Sequence, residues 1–181
     1  NDDVSTAYLH NRPAFMQSRA LSAAEIGTAM HTIMQHIDIQ KESNVTDVEK
    51  LITELTDRQL LTIEEATAVD ANAVAHFFQT AIAERLMKAE HVSRELTFTY
   101  ALDDSDGDHQ ILQGIADCLF EEQNGWVLLD YKTDKVRGRY GSDEEVDAEM
   151  QKRYGIQLNL YKKAIEEILK IDIKEMVLYL F

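Results

Sequence analysis

The sequence has 181 residues, of which 45% are hydrophobic and 28% are charged. This composition is typical of a globular protein and predicts one domain large enough to bury a hydrophobic core, so a disordered chain is not expected. The formal net charge of −15 argues against a generally basic surface that would bind nucleic acid. A local basic surface is still allowed, because half of the 18 Lys and Arg residues fall between Lys132 and Lys170.

The single cysteine, Cys118, excludes disulfides and four-cysteine zinc or iron–sulfur sites within these residues. One cysteine is compatible with a reducing compartment, and we see neither a secretion signal nor an apolar run of about 18 residues. We therefore expect a soluble, intracellular protein. The start at Asn1 favours a piece of something larger.

The first predicted helix, assigned to residues 22–38, begins with the capping-box pattern Ser22-x-x-Glu25, in which two side chains satisfy free main-chain amides reciprocally. Apolar residues then recur along one helical stripe, as expected for a helix that faces a core. Residues 45–90 continue with helical stripes and polar breaks. They predict a helical insertion or cap in which no chemical motif is visible.

After His91 the pattern changes to three strands, "SRELTFTYAL", "HQILQGIADCLFEE" and "GWVLLDYKT". The "DDSDGD" stretch supplies the first turn. Asn124-Gly125 supplies the second, because Asn-Gly between alternating apolar runs is a strong hairpin signal.

The C-terminal part begins with a second capping box, Ser142-x-x-Glu145, followed by a helical stretch in which Gly155 is a candidate break. The end, "IKEMVLYLF", predicts a buried strand. The fold class is therefore a mixed α/β (α+β) domain, with a central mixed sheet flanked by helices. We treat residues 1–181 as one unit, with the sheet in 92–181.

The strand "GWVLLDYK" ends in a charged pair. Asp130 and Lys132 are two residues apart, so they share a face of the strand. If the hairpin closes at the Asn-Gly turn, Asp130 lies opposite Leu119, and Asp117 lies diagonal to Asp130. Two nearby carboxylates repel each other unless a proton or a cation lies between them. Oxygen ligands favour Mg²⁺ or Mn²⁺, and a neighbouring lysine would contact a phosphate or orient water, which predicts metal-dependent phosphodiester hydrolysis.

The structural alternative is an exposed hairpin end with a surface Asp–Lys pair, since D-x-K spacing is common. Against it, Asp130 ends the apolar run "WVLLD", where an ionised residue is unusual without a partner. Two other features predict no site. "DDSDGD" lacks the glutamate of a calcium loop, because the twelfth position from Asp104 is Ile115. Cys118 is expected to be a buried small residue and not a nucleophile.

Four ordered motifs, "GTAMH", "GIAD", "LLDYKTDK" and "QLNLY", resemble the RecB-type nuclease branch of the PD-(D/E)XK superfamily. Within it, the sequence is most similar to the C-terminal nuclease domain of the AddA (RexA) family of helicase–nuclease subunits. The opening "RPAFMQ" and "LSAAEIGTAMHTIMQHID" strengthen this resemblance, which covers residues near 12–38 and 92–181. It implies a restriction-endonuclease-like core.

The resemblance also implies a role for each matching residue of the metal site. Asp117 and Asp130 would be metal ligands, together with His31 and the backbone carbonyl of Tyr131. Lys132 would be the catalytic lysine. Considered alone, His31 would more often be a core histidine, and no second histidine forms a zinc-binding pair with it.

Further residues are implied around the DNA. Gln157 and Tyr161 match a Q-x-x-x-Y motif that supports the site and the DNA, and their spacing puts them on one helix face. Glu95 falls where relatives carry a glutamate, and is a candidate site residue with a surface strand charge as its alternative. Basic residues expected to contact phosphates are Lys135, Arg137, Arg139 and Arg153.

The function implied is a Mg²⁺-dependent deoxyribonuclease, with Mn²⁺ as a substitute, of the exonuclease type found in AddAB and RecBCD. It would cut unwound single-stranded DNA as part of an ATP-dependent helicase/nuclease in double-strand-break repair by recombination. No Walker A motif occurs in the sequence, so ATP would be used only by helicase domains outside this chain.

The implied partners are those helicase domains and a second protein of the AddB/RexB type, in the cytoplasm of a bacterium, without an iron–sulfur cluster in this chain. Two alternatives stay open. One is a catalytically silent nuclease-like module that docks proteins or guides DNA. The other is a phosphohydrolase of small nucleotides, which would need a closed pocket and a base-recognition element.

Overall fold

The computed structural model describes residues 20–103, 109–133 and 142–181. Within these ranges the chain forms six helices and four strands, in the order α1 Ala23–His36, α2 Val45–Asp57, α3 Ile63–Ala68, α4 Ala71–Phe77, α5 Ala81–Met87, β1 Val92–Asp103, β2 His109–Glu122, β3 Gly125–Lys132, α6 Asp143–Leu169 and β4 Ile173–Leu180. None of the described helices is both long and apolar enough to cross a membrane.

The helix starts follow the local sequence signals. Ser22 and Glu25 form the expected capping box at α1, in which each side chain accepts a main-chain hydrogen bond from the other residue. Such caps satisfy amides that have no partner inside the helix. At the start of α6, the Ser142 hydroxyl accepts from the Glu145 N–H at 3.3 Å. The α6 helix then runs continuously over 27 residues, so the break expected at Gly155 is not present.

The four strands form one mixed sheet in the order β1-β2-β3-β4. The β1–β2 and β2–β3 pairs are antiparallel, and the β3–β4 pair is parallel. Parallel neighbours require a crossover, which α6 provides here. The fold class predicted from the sequence, a mixed sheet flanked by helices, is therefore confirmed.

The helices divide between the two faces of the sheet, and β3 is buried by both groups. Val127, Leu129 and Tyr131 pack with buried residues of α1–α5, whereas Leu128 packs in a second core with residues of α6. A strand covered on both faces is expected to be apolar at successive positions, which explains the run "WVLL".

The β2–β3 hairpin does not close where the sequence predicts. Glu122 pairs with Gly125, so the loop consists of Gln123 and Asn124, and Gly125 is the first residue of β3. The Asn-Gly signal requires a positive φ at both loop residues, but Asn124 is not among the described non-glycine residues with positive φ. Gly125 instead has φ +126°, and a Cβ there would lie 3.1 Å from the carbonyl oxygen of Asp172.

Strand β1 changes face at Glu95. Residues two apart in a regular strand point to the same side. Yet Val92 packs on the α1 side and Arg94 donates to two carbonyls at the end of α1, while Leu96 and Phe98 belong to the α6 core. Glu95 itself has φ 51°, a left-handed conformation that is uncommon for a residue other than glycine. This rotation turns the strand over.

Strand β2 changes face at the matching point. Leu96 pairs with Ala116, and Cys118 pairs with the residue before Glu95, so the register sets Glu95 across from Asp117. Cys118 belongs to the core under α1–α5, and Ala116 belongs to the core under α6. Both strands therefore exchange faces at one place, and each carries a carboxylate there.

Candidate active site

Three side chains from different elements converge at this irregular point of the sheet. His31 of α1, Glu95 of β1 and Asp117 of β2 each offer one potential ligand atom, and these atoms lie within 4.8 Å of one another. Asp117 is buried, whereas His31 and Glu95 are half-buried. The group is therefore open to small ions from one side and supported by the core from the other.

Helix α1 approaches the end of β3 closely because of a glycine. A Cβ on Gly27 would lie 3.0 Å from the Thr133 hydroxyl oxygen, which is tighter than an ordinary van der Waals contact. His31 follows Gly27 by four residues, so both lie on the same helix face. The glycine of "GTAMH" thus brings the histidine to the sheet.

His31 is held by two acceptors. Its Nδ1 lies 3.2 Å from Asp117 Oδ1, and its Nε2 donates to the Tyr131 carbonyl at 3.1 Å. Both ring nitrogens face oxygens that accept, which only the protonated ring can satisfy. Consistently, the hydrogen bond to Asp117 raises the pKa of His31 above its ordinary value, although burial acts in the opposite direction.

Asp117 is fixed by the main chain of the neighbouring strand. Its Oδ2 accepts from the Tyr131 N–H at 2.7 Å, and this contact is buried. Continuing the β2–β3 register one step past the Cys118–Leu129 pair would set Asp117 opposite Asp130. The expected diagonal arrangement, with Asp130 opposite Leu119, is therefore wrong. The difference is two residues, so both aspartates keep the faces that the sequence gives them.

Asp130 forms an ion pair with Lys132, as their shared strand face predicts. Lys132 Nζ lies 2.6 Å from Asp130 Oδ2, and the two side chains are 18% and 8% exposed. Burial and the charge of Asp117 raise the pKa of Asp130, while Lys132 lowers it. Asp130 does not belong to the group of three found among the described residues, although its carboxylate interacts electrostatically with both Asp117 and His31.

Glu95 completes the accumulation of negative charge. Burial and the charge of Asp117 raise its pKa, and His31 acts in the opposite direction. Raised carboxyl pKa values mean that the carboxylates repel one another when no cation lies between them. One imidazole nitrogen with several carboxylate oxygens is a suitable donor set for a divalent metal ion, which would relieve this repulsion. The residues present therefore fit such an ion.

The Q-x-x-x-Y residues lie on α6, away from the three-residue group. Gln157 is exposed, and Tyr161 is half-buried with its ring edge-on to Phe98 at a centroid distance of 4.9 Å. Gly114, the glycine of "GIAD", makes room for this contact, because a Cβ there would lie 2.7 Å from the Tyr161 ring.

The basic residues expected to contact phosphates are only partly described. Arg153 is exposed on α6, and its Nε lies 2.6 Å from Glu149. Lys135, Arg137 and Arg139 lie outside the residues that the structure describes.

One contact of Lys132 does not follow from the sequence. Its Nζ lies 4.8 Å from the centroid of the Tyr154 ring, on α6. Tyr154 is distant from Lys132 in the sequence, and no pattern indicates which helical tyrosine will meet a given lysine. Cys118, by contrast, lies as predicted: it is fully buried, and burial raises the pKa of its thiol to about 12.

Comparisons with known proteins give a consistent result. A family model described as "PD-(D/E)XK nuclease superfamily" matches residues 6–180. AddA, the larger-named "ATP-dependent helicase/nuclease" protein of Lysinibacillus sphaericus, is 46% identical over 171 residues, which cover 94% of this chain and 14% of that protein. The AddA proteins of Bacillus pumilus and Geobacillus thermodenitrificans are 42% and 39% identical, over 97% of this chain and 15% of each relative.

The chain therefore spans about one seventh of the length of these curated relatives. The family match covers almost all of the chain, and the residues that carry the resemblance occur in the order in which the fold brings them together. This chain belongs to the PD-(D/E)XK nuclease superfamily.

Proposed function

We propose that this chain is a metal-dependent nuclease domain that hydrolyses phosphodiester bonds of unwound single-stranded DNA. The observation that carries the proposal is the group of His31, Glu95 and Asp117 beside the Asp130–Lys132 ion pair. Carboxylates, an imidazole and one buried ammonium group together provide both a cation site and a positive group for a phosphate.

The metal would be held by residues that already contact one another. His31, Asp117, Asp130 and the Tyr131 carbonyl are the proposed ligands, with Glu95 as a further one. Mg²⁺ is the proposed ion and Mn²⁺ a substitute, because oxygen ligands dominate the set. When bound, such an ion supplies Lewis-acid polarisation of a phosphoryl oxygen and lowers the pKa of a coordinated water.

Lys132 is proposed as the residue that stabilises charge on the reacting phosphate. Its ammonium group lies between the Asp130 carboxylate and the face of the Tyr154 ring, so its position is fixed before substrate binds. At 18% exposure its charge is only weakly screened by solvent. A preorganised cation of this kind lowers the barrier because no reorganisation is needed during the reaction.

The substrate would be held along α6. Gln157 and Tyr161 are proposed to contact the DNA near the reacting phosphate, and Arg153 to bind a neighbouring phosphate. A protein with a net charge of −15 repels DNA at long range. Most of the affinity would therefore come from elsewhere in a larger assembly.

That assembly is proposed from the relatives, whose names describe an ATP-dependent helicase/nuclease. Helicase domains of the same polypeptide would use ATP to unwind DNA and deliver single strands, together with an AddB/RexB-type partner. The proposed process is double-strand-break repair by recombination, with the chain acting as an exonuclease.

Cleavage of end-labelled single-stranded DNA tests this function. The parent chain is compared in Mg²⁺ with Asp130→Asn, with an EDTA control, and with Glu121→Gln, which removes a carboxylate of the same hairpin outside the site. Cleavage that is lost in Asp130→Asn and EDTA but retained in Glu121→Gln supports the proposal. If the parent is silent even when the helicase domains and the partner protein are supplied, the domain is instead a docking or DNA-guiding module.

A further inference from the structure

Tyr131 connects two members of the candidate metal group through its main chain. Its N–H donates to Asp117 Oδ2 at 2.7 Å, and its carbonyl accepts from His31 Nε2 at 3.1 Å. A rotation of this one residue would therefore move the anchoring points of a carboxylate and of an imidazole at the same time.

The Tyr131 side chain points away from the site, into the core. It is 2% exposed, and its ring packs against Phe77 with a centroid distance of 5.7 Å and an interplanar angle of 86°. It also contacts the ring of Phe181 at 5.7 Å. The edge-on geometry with Phe77 is a favourable arrangement for two aromatic rings.

Phe77 lies at the centre of this aromatic cluster. Its ring meets Tyr179 at 4.9 Å and Phe181 at 6.3 Å, in addition to Tyr131, and it is fully buried. Phe77 belongs to α4, within the helical segment 45–90 that contains no chemical motif. The segment thus reaches the back of the metal group through one side chain.

We propose that Phe77 is a positioning residue for the metal site. Its ring fixes the Tyr131 ring, and the Tyr131 main chain in turn fixes Asp117 and His31. This inference rests on the proposed metal-dependent function and adds to it a role for the helical segment, which holds the ligands from behind. Phe77 itself contacts neither metal nor substrate.

A matched pair of variants tests the proposal. Phe78 follows Phe77 in sequence, is 3% exposed, and has Phe77 as its ring partner among the described residues. Phe77→Leu and Phe78→Leu therefore make the same chemical change at nearly equal burial, but only the first removes a described ring contact with Tyr131. Mn²⁺ affinity is measured by titration calorimetry without DNA, at a temperature where both variants are folded.

We expect Phe77→Leu to weaken Mn²⁺ binding about tenfold or more, as for residues that orient metal ligands, and Phe78→Leu to change it by less than about twofold. In the metal-free protein, the NMR signals of the His31 ring should shift in Phe77→Leu and stay in place in Phe78→Leu. Phe77→Met, which keeps an apolar side chain of similar size, replaces Phe77→Leu if that variant does not fold.

Equal Mn²⁺ affinities and unshifted His31 signals in both variants would overturn the proposal while leaving the nuclease function intact. Equal weakening in both, in proportion to lost stability, would also overturn it, because Phe77 would then act only through the core. A parent chain that binds no Mn²⁺ would instead refute the metal site itself, and this inference with it.

Discussion

Glu95 lies across from Asp117 at the point where both β1 and β2 pass from one face of the sheet to the other. The left-handed φ of Glu95, 51°, is the backbone irregularity that accompanies this exchange. A strained conformation that places a carboxylate beside two other ligands is common at functional sites, where the surrounding structure maintains it.

Glu95→Asn should therefore stabilise the metal-free protein and impair its function. Asparagine tolerates a left-handed conformation better than glutamate, and the change removes a charge that is close to Asp117. We expect the free energy of unfolding to rise by about 1 kcal/mol, measured by denaturant titration in EDTA, while cleavage falls. Thr97→Asn, an exposed site on the same strand, is the control and should show no such gain. A destabilised Glu95→Asn would contradict the interpretation of strain.

The ring of Tyr154 should support the charge of Lys132. Tyr154→Leu removes the aromatic face, and cation–π contacts contribute about 0.5–2 kcal/mol. We expect the cleavage rate at saturating DNA to fall by about tenfold, while Tyr154→Phe, which keeps the ring, retains most of the activity. Equal rates in the leucine and phenylalanine variants would mean that the ring face does not contribute.

Metal binding should release protons and weaken in acid. The pKa of His31 is raised chiefly by its hydrogen bond to Asp117, and those of Asp130 and Glu95 chiefly by burial. Each group must be deprotonated to act as a ligand, so protons compete with the metal as the pH falls through these raised values. Calorimetry in two buffers of different ionisation enthalpy measures the release.

The matched variant for that experiment is His31→Gln, which removes the titrating ring. It should release fewer protons than the parent chain at the same pH. An Mn²⁺ affinity that stays constant as the pH is lowered from neutral into the acid range, in a parent chain that stays folded, would show that these groups are already deprotonated or do not bind the ion.

An ion network far from the site should make stability depend on acid pH. Glu122 lies 2.8 Å from Arg85 and 2.7 Å from Lys174, and these contacts lower its pKa from 4.5 to about 2. A lowered folded-state pKa stabilises the protein above the unfolded value, and this contribution is lost as the pH falls from 4.5 towards 2. Glu122→Gln should cost about 1 kcal/mol at neutral pH and nothing at a pH below the folded-state pKa, as measured by denaturant titration. The same loss at both pH values would contradict this assignment.

Two glycines should respond in opposite ways to alanine. At Gly114 a Cβ would lie 2.6 Å from Phe98 and 2.7 Å from Tyr161, so Gly114→Ala should cost about 1–3 kcal/mol through overpacking. At Gly155 the nearest atom is 3.3 Å away, at the end of the flexible Gln151 side chain. Gly155→Ala should therefore stabilise α6 by about 0.5–1 kcal/mol. Thermal unfolding of both variants checks the contrast, and a stabilised Gly114→Ala would refute the packing argument.

Much of the fold follows from local patterns in the sequence. Capping boxes predict where α1 begins, and the period-two rule predicts that Asp130 and Lys132 share a face, which the ion pair between them confirms. The apolar run of β3 predicts burial on both sides because each of its residues has a helix to face.

The rest depends on contacts that no local pattern encodes. The hairpin register differs from the prediction because the Gly125 backbone packs close to Asp172, which is far along the chain, and not because of the turn dipeptide itself. The exchange of strand faces at Glu95 breaks the alternation on which strand prediction relies. The contact between Lys132 and Tyr154 appears only when α6 crosses the sheet.

The contact between His31 and Tyr131 spans 100 residues of chain. On a ribosome that adds about 5–20 residues per second, the histidine is made roughly 5–20 seconds before the strand that holds it. The Lys132 carbonyl accepts from the N–H of Phe181, later still. A nascent chain therefore cannot assemble its cutting centre until nearly all of the domain has emerged, which protects nearby nucleic acid during synthesis.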